Sequence, residues 1–284
     1  MSIQTIGVIG CGLMGSGIAE VAARSGFQVI VSEANEGFLQ SGMARIDKSL
    51  GRAVKKGKLS AEEMAGIKGR ITGVVGLDAF AAVDLVIEAV SENLDLKQSI
   101  FKALNEITRP DVILASNTSS ISIAALAAAT TRPDKVVGMH FFNPVPVMAL
   151  LELVRGILTS DETLATVREV GESMGKTPVV AKDSPGFIVN RLLIPFLLDA
   201  IRMYESGLAS KEDIDTGVKL GLNHPMGPLT LADFVGLDTT LFVADVLYDE
   251  YGDPNFKAPP LLRQMVAAGL TGRKTGRGFY DWRK

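Results

Sequence analysis

The sequence predicts an α/β fold: a doubly wound, mostly parallel sheet with a helical projection, followed by an all-α C-terminal domain. Short apolar runs alternate with helical stretches up to about residue 181, the rhythm of buried parallel strands joined by crossover helices. A glycine-rich turn couples the first apolar run to the first helical pattern. After residue 183 the pattern is helical to the end, with long apolar helices around 187–204 and 239–251. A chain of 284 residues holds two domains more readily than one.

The stretch Val8–Gly15 reads V-I-G-C-G-L-M-G and sets Gly10, Gly12 and Gly15 in G-x-G-x-x-G spacing. It follows the apolar run Ile6–Ile9 and precedes a helical pattern from Ile18 to Ala23, the context that gives the spacing its meaning. The first glycine permits the tight turn, the second lets the backbone approach a pyrophosphate, and the third lets the helix pack closely on the strand. Leu13 and Met14 complete the loop, and the helix start offers N–H groups and a positive dipole end to phosphates. A Rossmann-type dinucleotide-binding domain is therefore expected over residues 1–183. The next strand, Gln28–Ser32, leads into Glu33, 23 residues after Gly10, where such a unit places the carboxylate that accepts the ribose hydroxyls. A carboxylate there repels the extra phosphate of NADP, and Ala34, Asn35 and Glu36 bring no arginine to receive one. The expected cofactor is NAD, and no metal site is expected. Cys11, the single cysteine, sits where the loop needs a small side chain and reads as a space-filler rather than a nucleophile.

From Glu33 to about Gly57 the pattern is helical, and Ser60 with Glu63 forms an S-x-x-E cap for a second short helix. Arg45, Lys48, Arg52 and Lys55 are spaced three, four and three apart and share a helix face, with Lys56 and Lys58 beyond them and Asp47 the only acid. Two readings stand. The face is either a solvated surface or a binding surface for a strongly anionic ligand part such as a nucleotide phosphate.

Further strands are expected at 69–75, 84–90, 112–115, 135–139 and 176–181, with a helix from about 94 to 107. Ligands of such sheets bind outside the carboxyl ends of the strands, so the residues after each strand matter most. Ala115 is followed by Ser116-Asn117-Thr118-Ser119-Ser120, which reads either as a cluster of small hydrogen-bonding groups or as a helix cap, with Ser119 or Ser120 capping a helix from near Ile121. Met139 is followed by His140, one of two histidines, at a position where a general acid/base is wanted. Glu152 lies inside the apolar run Ala149–Val154, where a carboxylate is costly unless partnered. Its economical partner is His140, held in the right tautomer as by the orienting member of a catalytic triad; the alternative is Arg155 at the surface.

Ser184 reads as an N-cap with Pro185 at the first helical position, and the domain boundary is set there, leaving 184–284 as a helical domain. Asn190 and Arg191 fall within its first apolar helix, which Pro195 should kink. Broad apolar faces on so small a domain point to burial against a second copy, hence a homodimer through this domain. His224, between Asn223 and Pro225, reads as part of a structured turn. The basic, glycine-rich stretch Gly272–Tyr280 is either solvated or folded back over the cofactor.

A net charge of -3 and a pI near 5.6 speak against nucleic acid as a partner. No basic region precedes the first apolar run, so no secretory signal is read, and the single cysteine fits a reducing compartment. The most apolar long stretch, 186–200, is interrupted by Asn190, Arg191, Pro195 and Asp199 and is too short and polar to span a bilayer. A cytoplasmic protein without a membrane partner is expected.

Taken in order, G-C-G-L-M-G-S-G-I-A, I-E-A-V-S-E-N, S-N-T-S-S, H-F-F-N-P-V-P-V-M, D-S-P-G-F-I-V-N-R, L-G-L-N-H-P-M-G-P-L and G-R-K-T-G-R-G-F-Y make the chain resemble the short-chain L-3-hydroxyacyl-CoA dehydrogenases nearly end to end. The resemblance implies an acyl-CoA substrate, His140 as base and Glu152 as its orienting acid, with Ser119 and Asn190 hydrogen-bonding the substrate. It implies Glu92, Lys97, Asn117, Asn143 and Lys274 along the cofactor site, and Ser49 and Lys56 on the helical projection in contact with coenzyme A. One departure is Ala149, where relatives often carry lysine or arginine. Two other readings carry the same loop: a gulonate-type dehydrogenase acting on a free hydroxy acid, and a non-catalytic NAD-binding protein of the lens-crystallin kind.

Overall fold

The computed structural model describes residues 3–283, and the chain divides into two compact units, Met1–Ser184 and Pro185–Lys284. The N-terminal unit begins with β1 (Thr5–Ile9), α1 (Leu13–Arg24) and β2 (Gln28–Glu33), the strand-turn-helix-strand expected around the glycine loop. A helical pair, α2 (Glu36–Lys55) and α3 (Ala61–Gly69), then leads to β3 (Ile71–Val75). Asn35 caps α2 by accepting from the Phe38 N–H, and Ser60 with Glu63 closes the reciprocal capping box that starts α3. The pair is rooted in the core by Leu39, Ile46 and Leu50, all buried. Next come β4 (Leu85–Glu88), α4 (Leu94–Ile107), β5 (Ile113–Ser116), the short α5 (Ile123–Ala127) and β6 (Val136–Phe141). β7 (Leu150–Arg155), α6 (Asp161–Ser173) and β8 (Thr177–Lys182) complete the unit.

Among the described residues eight strands form one sheet in the order β3-β2-β1-β4-β5-β6-β7-β8. All neighbours are parallel except β6 and β7. The middles of β1, β4 and β5 are apolar because both faces of the sheet are covered there, and Ile6, Val8, Leu85, Ile87, Leu114 and Ala115 are fully buried. Since β1, β4, β5 and β6 run the same way, Gly10, Glu88, Ser116 and His140 arrive at one edge of the sheet.

Three local expectations differ from what forms. β6 extends to Phe141, so His140 is the penultimate residue of the strand rather than the first residue beyond it. Neither Ser119 nor Ser120 caps the next helix: α5 begins at Ile123, and the turn before it is closed by Thr118 Oγ1, which accepts from the Ile121 N–H at 2.8 Å. Helix α7 (Val189–Glu205) begins four residues beyond Pro185, because Gly186 and Phe187 take left-handed φ values of 77° and 48° that no helix accommodates.

In the C-terminal unit α7 is followed by α8 (Lys211–Gly221), α9 (Pro228–Val235), α10 (Leu237–Tyr251) and α11 (Pro260–Ala267), around a core that includes Leu197, Leu198, Ile201, Leu229, Leu237, Ala244 and Leu262. The final stretch is exposed at Arg273, Lys274, Thr275 and Arg277 yet is not loose. Asp233 of α9 accepts from the backbone N–H of Phe279 and of Tyr280 and from Trp282 Nε1, each at 2.9 Å, and so pins it to the domain. No helix among the described residues is long and apolar enough to cross a membrane.

Candidate active site

The glycine loop is shaped by what a side chain would strike. Gly10 sits at φ 88°, and a Cβ there would lie 2.8 Å from the Ala89 carbonyl oxygen. A Cβ on Gly15 would fall 1.7 Å from the Gly10 oxygen, so α1 closes on the turn only without one. A Cβ on Gly12 would meet nothing within 4 Å, which leaves that face of the loop open. Gly12 is also the N-cap of α1, and no side chain caps its first turn. The open face and the uncapped amides together fit a pyrophosphate.

Glu33 closes the same loop from the end of β2: its Oε1 accepts from the Cys11 N–H at 2.7 Å and its Oε2 from the Ala34 N–H at 3.2 Å. The carboxylate is thus fixed beside the turn, as recognition of a ribose diol requires. Cys11 is fully buried and pressed by α2, where a Cβ on Gly42 would lie 2.3 Å from its Sγ. Burial first, then the Glu33 charge, push its thiol up to about 11 despite Arg45, so it is no thiolate at neutral pH.

At the ends of β4 and β5 a second cluster holds the serine loop. Glu92 Oε1 accepts from the backbone N–H of Ser119 at 2.9 Å and of Ser120 at 3.1 Å, and from the hydroxyls of Thr118 and Ser120. Lys97 is 1% exposed and lies 2.7 Å from Glu88 Oε1 and 3.4 Å from Glu92 Oε2. Asn117 Oδ1 accepts from the Phe141 N–H at 2.9 Å, tying this loop to the strand that carries His140. The sequence reading passed over Glu88. The available signal was a weak one, an acid directly after the apolar run Leu85–Ile87.

His140 and Glu152 stand directly opposite each other in the antiparallel β6/β7 ladder. His140 Nδ1 lies 2.7 Å from Glu152 Oε2, with the Glu152 side chain fully buried and that of His140 10% exposed. Arg155 pairs instead with Asp161 at 2.7 Å. The Phe142 ring packs on the imidazole at 4.6 Å between centroids, a contact the sequence did not disclose. Lys176, also unforeseen, donates to the carbonyls of Val145 and Met148 at 2.5 and 2.9 Å and so braces the turn between β6 and β7 that contains Asn143, whose side chain is exposed.

The basic face of α2 is divided. Arg45 turns back to the Cys11 carbonyl at 3.4 Å, while Lys48, Lys55 and Lys56 are exposed. Ser49 and Arg52 lie near the buried Glu20, whose carboxyl is raised by burial against the pull of Ser49, Arg24 and Arg52. A groove of about 600 Å³ lies between the end of α1 and α3, with Arg24, Lys58 and Arg70 among its lining residues. In the C-terminal unit Asn190 occupies the first turn of α7, Lys274 pairs with Asp238 at 2.5 Å, and the exposed His224 packs on Phe196.

The model of the NAD-binding domain of 3-hydroxyacyl-CoA dehydrogenases matches residues 5–184, and the model of that family's C-terminal domain matches 186–282. The chain belongs to the 3-hydroxyacyl-CoA dehydrogenase family. As a member it is an oxidoreductase with NAD as cofactor. It is 47% identical to the 3-hydroxybutyryl-CoA dehydrogenase of Clostridioides difficile over 279 residues, covering 98% of this chain and 99% of the relative. The human mitochondrial hydroxyacyl-coenzyme A dehydrogenase is 45% identical over 99% of this chain and 92% of its own length. Among solved structures, the (S)-3-hydroxybutyryl-CoA dehydrogenase of Ralstonia eutropha superposes with a TM-score of 0.95 at 51% identity, covering 100% of both chains.

Proposed function

We propose that this family member interconverts (S)-3-hydroxybutyryl-CoA and acetoacetyl-CoA, with His140 as the general acid/base. The observation that carries the reading is the buried His140–Glu152 pair at 2.7 Å, set on the sheet edge that also carries the glycine loop. NAD supplies the hydride acceptor, or NADH the donor, at substrate C3. Glu152 holds Nδ1, so proton exchange with the C3 oxygen falls to Nε2, and the carboxylate stabilises the imidazolium formed when the hydroxyl proton is taken. In the reverse direction the imidazolium protonates the oxygen as the carbonyl is reduced. Ser119 and Asn190 donate to that oxygen as charge develops on it.

Residues 1–183 serve as the NAD-binding domain and 184–284 as the substrate and dimerisation domain. Gly10, Gly12, Leu13, Met14 and Gly15 hold the pyrophosphate turn, and Glu33 accepts the ribose hydroxyls and selects NAD over NADP. Glu92, Asn117, Asn143 and Lys274 complete the cofactor site, and Lys97 contributes from beneath by holding Glu92. Ser49 and Lys56 contact coenzyme A, with the exposed lysines of α2 supplying the charge its phosphates call for. Leu192, Leu208, Leu220 and Leu222 are 60 to 80% exposed in the C-terminal unit, apolar surface that a second copy would cover, and this supports a homodimer. A protein with one buried, unpaired cysteine suits the cytoplasm.

Loss of NADH absorbance on adding acetoacetyl-CoA tests the reading directly. His140→Ala is expected to lower kcat by about 10²- to 10⁴-fold. Near-normal turnover by that variant removes the base, and turnover of free 3-hydroxybutyrate as good as that of its CoA ester removes the substrate class.

A further inference from the structure

The end of β4 holds a carboxylate to which the reading above gives no task. Glu88 is fully buried, and its neighbours in register are Ile9, which precedes the glycine loop, and Ser116, which precedes the serine loop. Its backbone carbonyl accepts from the Asn117 N–H at 2.8 Å. Its carboxylate accepts from the Val90 N–H, Lys97 Nζ and Ser116 Oγ, all at 2.7 Å. Replacing a buried ion pair by apolar side chains of like volume is often neutral or stabilising, so stability alone gives no reason for charge at this place.

Lys97 passes the hold onward. Its ammonium carries three protons, and three acceptors stand around it: Glu88 Oε1, the Val90 carbonyl at 3.3 Å and Glu92 Oε2 at 3.4 Å. Burial alone would raise the Glu92 carboxyl, but Lys97, then Thr118, Ser119 and Ser120, hold it below the ordinary range. It therefore stays an ionised acceptor for the loop. The segment from Ser116 to Ser120 thus hangs from two carboxylates that share one cation, and Asn117 fastens the same segment to the strand of His140.

We propose that Glu88 is a positioning residue for the hydride-transfer reaction: through Ser116 directly, and through Lys97 and Glu92, it fixes the serine loop so that Ser119 Oγ meets the reacting oxygen. The proposal rests on the assignment of Ser119 to that oxygen. Glu88→Gln keeps the side chain's shape but turns one acceptor into a donor that must face either Lys97 or Ser116. Lys97 then turns toward Glu92 and draws it from the loop, and Ser119 is displaced while the fold remains. Displacements of this kind cost rate rather than uniform binding.

The test is a double-mutant cycle on the full chain with acetoacetyl-CoA and NADH, using Glu88→Gln, Ser119→Ala and the pair, with NADH affinity followed by fluorescence titration. Glu88→Gln alone is expected to lower kcat by about 10- to 100-fold, with KM for acetoacetyl-CoA within about twofold of the parent and any rise in the Kd for NADH, through Glu92, smaller than the fall in kcat. In the Ser119→Ala background the same change is expected to cost less than about twofold more, because what it positions is already gone. If Glu88→Gln leaves kcat unchanged, or costs the same factor in both backgrounds, Glu88 does not act through Ser119 and the proposal falls while the Ser119 assignment stands. If Ser119→Ala itself leaves kcat unchanged, the assignment falls and takes the proposal with it. Should Glu88→Gln not fold, Ser116→Ala removes one strand of the hold in the same cycle. It is expected to cost about three- to tenfold with the same loss of additivity, and full additivity overturns the proposal.

Discussion

Both units bury carboxylates, and they use them for opposite ends. In the N-terminal unit Glu152 spends an oxygen on His140, a side chain that can change its charge. In the C-terminal unit Asp233 spends its oxygens on two backbone amides and an indole N–H, and Asp215 on the Leu229 and Thr230 amides and the Thr230 and Tyr280 hydroxyls. None of those partners titrates near neutral pH. Burial of an acid therefore marks a place where structure is being specified, and the identity of the partner tells whether chemistry is specified as well.

The contrast breaks most sharply under substitution of each acid. Glu152→Gln is expected to lower kcat by about 10³- to 10⁴-fold, with the thermal midpoint and NADH affinity little changed, since the imidazole keeps a partner of the same shape but loses the stabilisation of its charged form. A large fall in NADH affinity with kcat preserved would argue that Glu152 is a binding residue instead. Asp233→Ala should do the reverse. It strands three buried or half-buried donors and is expected to cost about 3 kcal/mol or more of stability, read from urea unfolding, while kcat per folded molecule stays within about twofold.

Smaller effects separate the units along the pH scale. Burial first, then the bond to Asp215 and that residue's charge, hold the Tyr280 phenol above the usual tyrosine range. A group raised in the folded state contributes stability below its unfolded pKa and loses it as pH climbs through the folded value. Tyr280→Phe should therefore unfold at lower denaturant than the parent near neutrality, and the gap should close at strongly alkaline pH. Glu92 is held low, so its contribution is present above the ordinary carboxylate range and vanishes as pH falls through its folded pKa. Stability of Glu92→Gln measured against pH should converge on the parent in acid. Parallel curves in either case would place the interaction energy elsewhere.

What was legible in the sequence was what depends on neighbours in the chain. The glycine spacing, the alternation of strands and helices, and the Ser60 capping box are local signals: the turn and the box formed where read, and the strands and helices in the order read. The start of α7 was not legible, because a Ser-Pro pair is an ordinary helix opening and nothing local announces the left-handed turn at Gly186 and Phe187. The fate of the last residues was hidden for a different reason: it is decided by Asp233, more than forty positions earlier. Glu88 was overlooked because it closes its strand instead of interrupting it, so the apolar run looked finished rather than violated. Its meaning comes from Lys97 and Ser116, which the sheet brings beside it.

The single antiparallel joint in the sheet, between β6 and β7, sets His140 and Glu152 on facing rungs of one ladder. The acid–base pair is thereby held by backbone register and not by the turn that joins the two strands. Within the joining turn Phe142 packs on the imidazole and Val145 is buried in the core, so the freedom to change lies at its exposed tip, Val147 and Met148. The rungs are thus closed to change, and only the tip of the turn is open to it. A lineage can reshape that tip while the base itself stays where it is.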